Sequence, residues 1–278
     1  MIRLATIRKG GGRLRAVRVE DEHAVELPFD DVGKLLNAAD WESLIAKDGP
    51  RRELSSLSFA PVVPQPEKII CVGQNFRTHV EEMGRDLPLH PTLFAKYARA
   101  LIGAYDDIVL PDNSSRIDFE AEVAVVIGRP LRRATPESAA NAIAGYTIMN
   151  DVSARDWQYR TSQWLQGKTF EQTTPLGPVL VVDNPNQLSE LEISCEINGE
   201  VVQRGSTSDL IFGSADVAAY ISNILTLAPG DVIALGTPAG VGQARTPPMY
   251  LKPDDVIITR VTHVGECRNA CRRRLSAA

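Results

Sequence analysis

The stretch IDFEAEVAVVIG, residues 117–128, alternates as a β-strand, yet neither side of it reads as a solvent face. Side chains along a strand point to opposite sides with period two. Ile117, Phe119, Ala121, Val123, Val125 and Ile127 fall on one side; Asp118, Glu120, Glu122, Ala124 and Val126 fall on the other. The second side opens with acids and closes with apolar residues, as a buried side would. Adjacent carboxylates on such a side repel one another and are costly to desolvate. The strand therefore calls for positive charge beside Glu120 and Glu122.

The chain has 278 residues, enough for one large domain with an appendage or for two domains. Its hydrophobic content of 44% and charged content of 23% are those of an ordinary soluble globular protein. No apolar run approaches the ~18 residues of a membrane span. The opening MIRLATIRKGGG lacks an apolar h-region, so no secretory leader is expected. A net charge of −5 gives no basic footprint for nucleic acid. Cys71, Cys195, Cys267 and Cys271 are scattered, and reduced thiols in a cytoplasmic compartment are the expectation. His263, Cys267 and Cys271 recur at spacings of four but lack the fourth ligand a structural zinc needs.

Residues 1–62 read as a small N-terminal α+β domain. IRLATIR and LRAVRVEDEHAVEL alternate as strands around KGGG, and FDDVGKLLNAADWESLIAKDG follows with helical spacing. The prolines of APVVPQPEKII mark a linker. Residues 63–278 then carry many short strands broken by Gly and Pro, among them KIICVG, AGYTIMND, GPVLVVD and EISCEINGEVV. Helical stretches are few: 75–83, TPESAANAI and SADVAAYISNIL. That mixture predicts an α+β fold dominated by antiparallel or mixed sheet. LAPGDVIAL and LKPDDVIIT share one pattern and predict paired strand starts.

Glu120 and Glu122 stand about 6.6 Å apart along a strand, within converging reach of one ion. Asp151 ends another apolar strand. Three oxygen donors without His or Cys favour a hard cation such as Mg²⁺ or Mn²⁺; a solvated acidic edge strand is the competing reading. In NFRTHVEEMG, Asn75 is a candidate helix N-cap, and His79 and Glu82 share one face at i,i+3. A carboxylate on one imidazole nitrogen fixes the tautomer and leaves the other nitrogen to take a proton. Lys168, in QGKTFEQTTPLGP, can stabilise an enolate oxygen if it lies near a metal-bound substrate. GTPAGVG, residues 236–242, is a poor dinucleotide fingerprint but can present backbone N–H groups to a carboxylate.

In this order along the chain, NFRTHVEEMG, DFEAEVAVVIG, GYTIMNDVSARDWQ, GKTFEQTTPLGP, INGEVVQ and LAPGDVIALGTPAGVG resemble the fumarylacetoacetate hydrolase family over residues 66 to 270. The resemblance implies a mixed β-roll catalytic domain, usually dimeric, behind the small N-terminal domain. It implies that Glu120, Glu122 and Asp151 bind Mg²⁺ or Mn²⁺. His79 and Glu82 would sit on a lid and activate water, and Lys168 would assist the chemistry. Gln158, Thr237, Lys96 and Arg77 are the implied substrate contacts. Relatives often carry Pro and Ser or Thr after the positions of Phe94 and Lys96; FAKYARALIGAYDD departs from this, which bears on the substrate. The expected activity is hydrolysis of a C–C bond in a small 2,4-dioxo acid of the acylpyruvate or fumarylpyruvate type, through a metal-stabilised pyruvate enolate. The alternatives are oxaloacetate decarboxylase, 2-hydroxyhepta-2,4-diene-1,7-dioate isomerase or tautomerase, and sugar-acid dehydratase. A non-catalytic binding protein is a further alternative, against which the retention of both His79 and Glu82 argues.

Overall fold

The computed structural model describes residues 1–182 and 190–273. The last residue of the expected strand 177–183 and the end of the expected second domain lie outside these.

Strand Ala121–Ile127 is buried along its whole length. Its odd-numbered side, Val123, Val125 and Ile127, joins a core containing Phe119, Ile148, Val181 and Ile233. Its even-numbered side, Ala124 and Val126, joins a second core with Leu35, Leu36, Val62, Leu180 and Val232. β-Branched residues fill such a doubly covered strand well, because their stiff side chains pack on the pleat without much loss of rotamer freedom. Each fully buried Leu or Val contributes roughly 1.5–3 kcal/mol, so both faces are firmly held.

The strand belongs to a sheet of twelve. It pairs antiparallel with Ile143–Asn150 on one side and Val232–Ala234 on the other. Beyond Val232–Ala234 come Ile69–Gly73, parallel, and Thr92–Lys96, antiparallel. Beyond Ile143–Asn150 come Thr174–Val182 and then Ile2–Arg8. A second sheet of five runs Glu200–Ser206, Glu192–Ile197, Val256–Val261, Gly265–Arg273 and Ile108–Leu110. Mixed pairing with few helices makes this an α+β fold, as expected.

The N-terminal segment is continuous with this sheet. Ile2, Arg3 and Leu4 pair with Val182, Val181 and Leu180. The helical spacing after residue 29 resolves into two short helices, Val32–Leu36 and Trp41–Leu44. They separate because the Asn37 amide turns back onto the Gly33 carbonyl at 2.8 Å and closes the first helix. Trp41 then donates its indole N–H to the Gly128 carbonyl at 3.1 Å, across to the end of the central strand. The expected boundary at residue 62 falls in the proline segment, where Val62 and Val63 are themselves core residues.

The two matching segments are one turn used twice. Asp231 accepts from the Ala228 amide and Asp255 from the Lys252 amide, both at 2.7 Å. Gly230 and Asp254 occupy the same left-handed position, at φ 88° and 72°. The strands they launch lie in different sheets.

Candidate active site

Register brings the acids together. Ala121 is the partner of Asn150, so Glu120 falls opposite Asp151. The Asp151 amide donates to the Glu120 carbonyl at 2.8 Å, and the Asn150 side chain accepts from the Glu120 amide at 3.1 Å. Glu122, two residues along on the same side, points to the same place. Carboxylate oxygens of Glu120, Glu122 and Asp151 lie within 4.8 Å of one another, and all three residues are buried.

Most of the charge that these acids require is supplied by the chain. Lys168 lies between Glu120 at 2.6 Å and Asp151 at 2.8 Å. Lys96 binds the other Asp151 oxygen at 2.6 Å. Arg155 pairs with Glu120 at 2.6 Å and with Asp118 at 2.8 Å. Burial alone would raise the Glu120 carboxyl, but the charges of Lys168 and Arg155 outweigh it and bring it down to about 2. Burial likewise works against the Lys168 ammonium, and Asp151 and Glu120 more than restore it.

Glu122 is the exception. Among the described residues, the one hydrogen bond to its side chain is from the Gly236 amide, at 2.9 Å. Burial, with the charges of Asp151 and Glu120 added, pushes its carboxyl well above the usual range. Gly236 sits at φ 96°, and a Cβ there would come within 2.9 Å of the Val72 carbonyl, so the position that holds Glu122 needs glycine. Asp118, Glu120 and Asp151 are matched by Lys96, Lys168 and Arg155, and Glu122 is left as the carboxyl with no ion-pair partner among the described residues. A compact set of three carboxylates, one of them without a cationic partner, fits a hard divalent cation.

The third acid of the opening stretch does other work. Asp118 is fully buried and turns away from the trio. Besides Arg155, it accepts from the backbone amides of Phe119, Gly242 and Gln243 at 2.8, 2.7 and 2.9 Å. It therefore ties the glycine-rich loop to the arginine that holds Glu120.

The helix Arg77–Glu82 stands over the site. His79 Nδ1 meets Glu82 Oε2 at 3.1 Å, the i,i+3 contact expected from the sequence. Glu82 Oε1 accepts from the Gly240 amide at 2.9 Å, and Thr78 binds Asp209 through its amide and hydroxyl at 3.0 and 2.6 Å. Burial would raise Glu82, but His79 and the Gly240 amide outweigh it and hold the carboxyl below its ordinary value. Asn75 is not the N-cap of this helix. Its side chain bonds Phe212 and Leu235 instead, and the capping role passes to Asp209 from another segment.

A partly open cleft joins these groups. Among its lining residues are the expected His79, Glu120, Glu122, Gln158, Lys168 and Thr237. Two other expected substrate contacts, Lys96 and Arg77, lie off the cleft. The Lys96 side chain is completely buried against Asp151 and does not line the cleft, so it acts on that carboxylate and not at the cleft surface. Arg77 is exposed and also off the cleft, because it starts the helix whose later turn faces inward. Thr237 commits its hydroxyl proton to the Ala121 carbonyl and accepts from Gln203, both at 2.9 Å.

Residues 68–272 match the family described as "Fumarylacetoacetate (FAA) hydrolase C-terminal". The chain belongs to the fumarylacetoacetate hydrolase family. Oxaloacetate tautomerase FAHD2A, mitochondrial, of Homo sapiens is 43% identical over 76% of this chain and 68% of its own length. Oxaloacetate tautomerase fahd2, mitochondrial, of Xenopus laevis is 40% identical over 77% and 68%. Among solved structures, fumarylacetoacetate hydrolase from psychrophilic Exiguobacterium antarcticum superimposes with a TM-score of 0.88 at 30% identity, covering 99% of this chain and 100% of that one. The 2-hydroxyhepta-2,4-diene-1,7-dioate isomerase from Mycobacterium marinum gives 0.83 at 31% identity, covering 99% and 100%.

Two expectations change with these likenesses. The named activities of the family members above support the tautomerase and isomerase alternative better than C–C hydrolysis. The cytoplasmic expectation is overturned, since curated relatives are named as mitochondrial. Its basis was four scattered cysteines; all four are free and buried, and such thiols do not name a compartment.

Proposed function

We propose that this chain is a metal-dependent tautomerase acting on oxaloacetate or a closely similar small 2-oxo acid. The observation that carries the reading is a base of fixed tautomer and a permanently charged ammonium lining one cleft. His79 gives Nδ1 to Glu82, which leaves Nε2 to exchange a proton. Lys168, buried and held in its charged form, faces the same space. Two of its three N–H protons go to Glu120 and Asp151, leaving one for a substrate oxygen.

These parts supply the proton transfer that tautomerisation requires. His79 takes a proton from the carbon beside the 2-oxo group, and that C–H pair becomes the new C=C bond. The carbonyl pair moves to oxygen, where the Lys168 charge stabilises it until a proton arrives. One C–H bond breaks, one O–H bond forms, and no water or co-reactant is consumed. Glu120, Glu122 and Asp151 would hold Mg²⁺ or Mn²⁺, which when bound supplies Lewis-acid polarisation of the substrate oxygens. Gln158, whose carbonyl accepts from Arg155 at 2.9 Å, is kept with its amide N–H groups free for substrate. The working assembly in this reading is a homodimer, to be checked by light scattering.

A second reading, isomerisation of an unsaturated dioic acid, is favoured by the likeness to the Mycobacterium marinum enzyme and moves a proton by the same means. The test is keto–enol relaxation of oxaloacetate, followed by ultraviolet absorbance with Mg²⁺ and with a chelator, beside acylpyruvate cleavage. Acceleration that depends on metal and on His79 supports the reading. Cleavage of acylpyruvates without any effect on oxaloacetate relaxation returns the chain to the hydrolases.

A further inference from the structure

Three strongly basic side chains line the cleft: Arg85, Arg155 and Lys168. Arg155 is committed to Asp118 and Glu120, and Lys168 to Glu120 and Asp151. Among the described residues, Arg85 makes no ion pair and its side chain has no recorded hydrogen-bond partner. It is the cleft's one unspent full positive charge.

Its position is nonetheless fixed. Helix Arg77–Glu82 ends with the Gly84 amide on the Glu81 carbonyl at 2.9 Å and the Arg85 amide on the Val80 carbonyl at 3.1 Å. Gly84 takes φ 62°, the left-handed step that closes such an end. The backbone of Arg85 is therefore set by the helix that carries His79, while its guanidinium stays exposed.

We propose that Arg85 is a specificity-determining residue, selecting 2-oxo acids that carry a second carboxylate. This rests on the reading that the cleft takes a 2-oxo acid. The first carboxylate and the oxo group of such a substrate suit the part of the cleft lined by Lys168, Glu120 and Glu122. A second carboxylate brings a further negative charge that Arg155 and Lys168, already neutralised, cannot answer. A guanidinium offers that carboxylate two parallel N–H donors, a match a lysine or amide lacks. Because Arg85 is exposed, solvent and salt screen it, and the discrimination is of the order of ten-fold. A 2-oxo acid with a neutral tail gains nothing from it.

Calorimetric titration of the Mg²⁺-loaded protein with oxaloacetate and with its 4-methyl ester tests this without relying on turnover. The wild type should bind the diacid about ten-fold more tightly than the ester, and the ratio should shrink as salt is raised. Arg85→Met should bring the ratio close to one by weakening the diacid alone, and Arg85→Lys should keep part of it. Equal affinities in the wild type, no binding of either ligand, or an unchanged ratio in Arg85→Met would overturn the proposal. Preferential, Arg85-dependent binding of oxaloacetate by a protein that does not speed its tautomerisation would uphold Arg85 and sink the tautomerase reading instead.

Discussion

Glu120 and Asp151, thirty-one positions apart in sequence, are cross-strand neighbours joined by a main-chain hydrogen bond of 2.8 Å. Their carboxylates converge because sheet register puts them side by side, and Lys168 bridges them. The carboxylate trio is thus built into buried sheet backbone. Glu122→Gln should keep the Gly236 contact and lose the charge, and should weaken Mg²⁺ binding by more than the ~10–100-fold that loss of a supporting partner costs. A calorimetric titration with unchanged affinity would remove Glu122 from the site.

Lys96 and Asp151 form a pair with no solvent exposure on either side chain. Removing Lys96 leaves the buried Asp151 with Lys168 as its remaining cationic partner, so the loss falls below the roughly 3–5 kcal/mol of a fully uncompensated buried charge. Lys96→Met should therefore lower the denaturation midpoint in chelator, and Mg²⁺ should restore part of it. Equal destabilisation with and without Mg²⁺ would mean that no cation reaches Asp151.

If His79 exchanges the substrate proton, His79→Ala should lower kcat about 10²–10⁴-fold, the usual range for acid–base catalysis. Glu82→Gln should act in the same direction but less, since it leaves the imidazole present and less basic. Mg²⁺ affinity should be unchanged in both, because neither residue belongs to the carboxylate trio. Wild-type rates in His79→Ala would make His79 a wall of the cleft and no more.

Far from the site, Glu26 is held by Lys9 at 2.9 Å and Arg52 at 2.8 Å. Burial would raise its carboxyl, but these two hydrogen bonds outweigh it and lower it below the ordinary value. A folded-state value below the unfolded one contributes stability above the unfolded value, near 4.3, and loses it as pH falls through the folded one. Glu26→Gln should thus cost most at neutral pH and least near pH 3. Chemical denaturation across that range would show the two curves converging on the acid side; parallel curves would sink the assignment.

Strand Ile2–Arg8 shares a sheet with Thr174–Val182, and Leu4 and Leu180 share a core. Leu4→Ala should cost about 2–5 kcal/mol and lower the stability of the whole sheet. Tryptophan fluorescence, reporting Trp41 as well as Trp157 and Trp164, should give one transition coincident with circular dichroism. Two separated transitions would show that residues 1–62 melt by themselves.

The strands and most of the site were readable because both depend on local pattern. Alternation placed Glu120 and Glu122, a strand end placed Asp151, and i,i+3 spacing placed His79 beside Glu82. The neutralising cations were harder to read. Nothing local distinguishes a buried Arg155 from a solvated helix arginine, and its two acid partners are 35 and 37 positions away. Lys96 was a substrate contact only as the family resemblance implied, and sequence alone does not tell a lysine that faces the cleft from one that backs an acid. Asn75 was a sound cap on local grounds, but tertiary partners at Phe212 and Leu235 claimed its side chain. Arg85 carried no local signal at all, since what marks it is the absence of a partner.

The four hydrogen bonds on Asp118 also set a limit on re-engineering. The loop amides of Gly242 and Gln243 hang on the same carboxylate as Arg155, and Arg155 hangs on Glu120. Grafting a new loop at 240–245 would therefore disturb the carboxylate trio along with the cleft wall. The segment after Gly84 has no such tie. For anyone wishing to redirect this scaffold, it is the separable handle, and the glycine-rich loop is not.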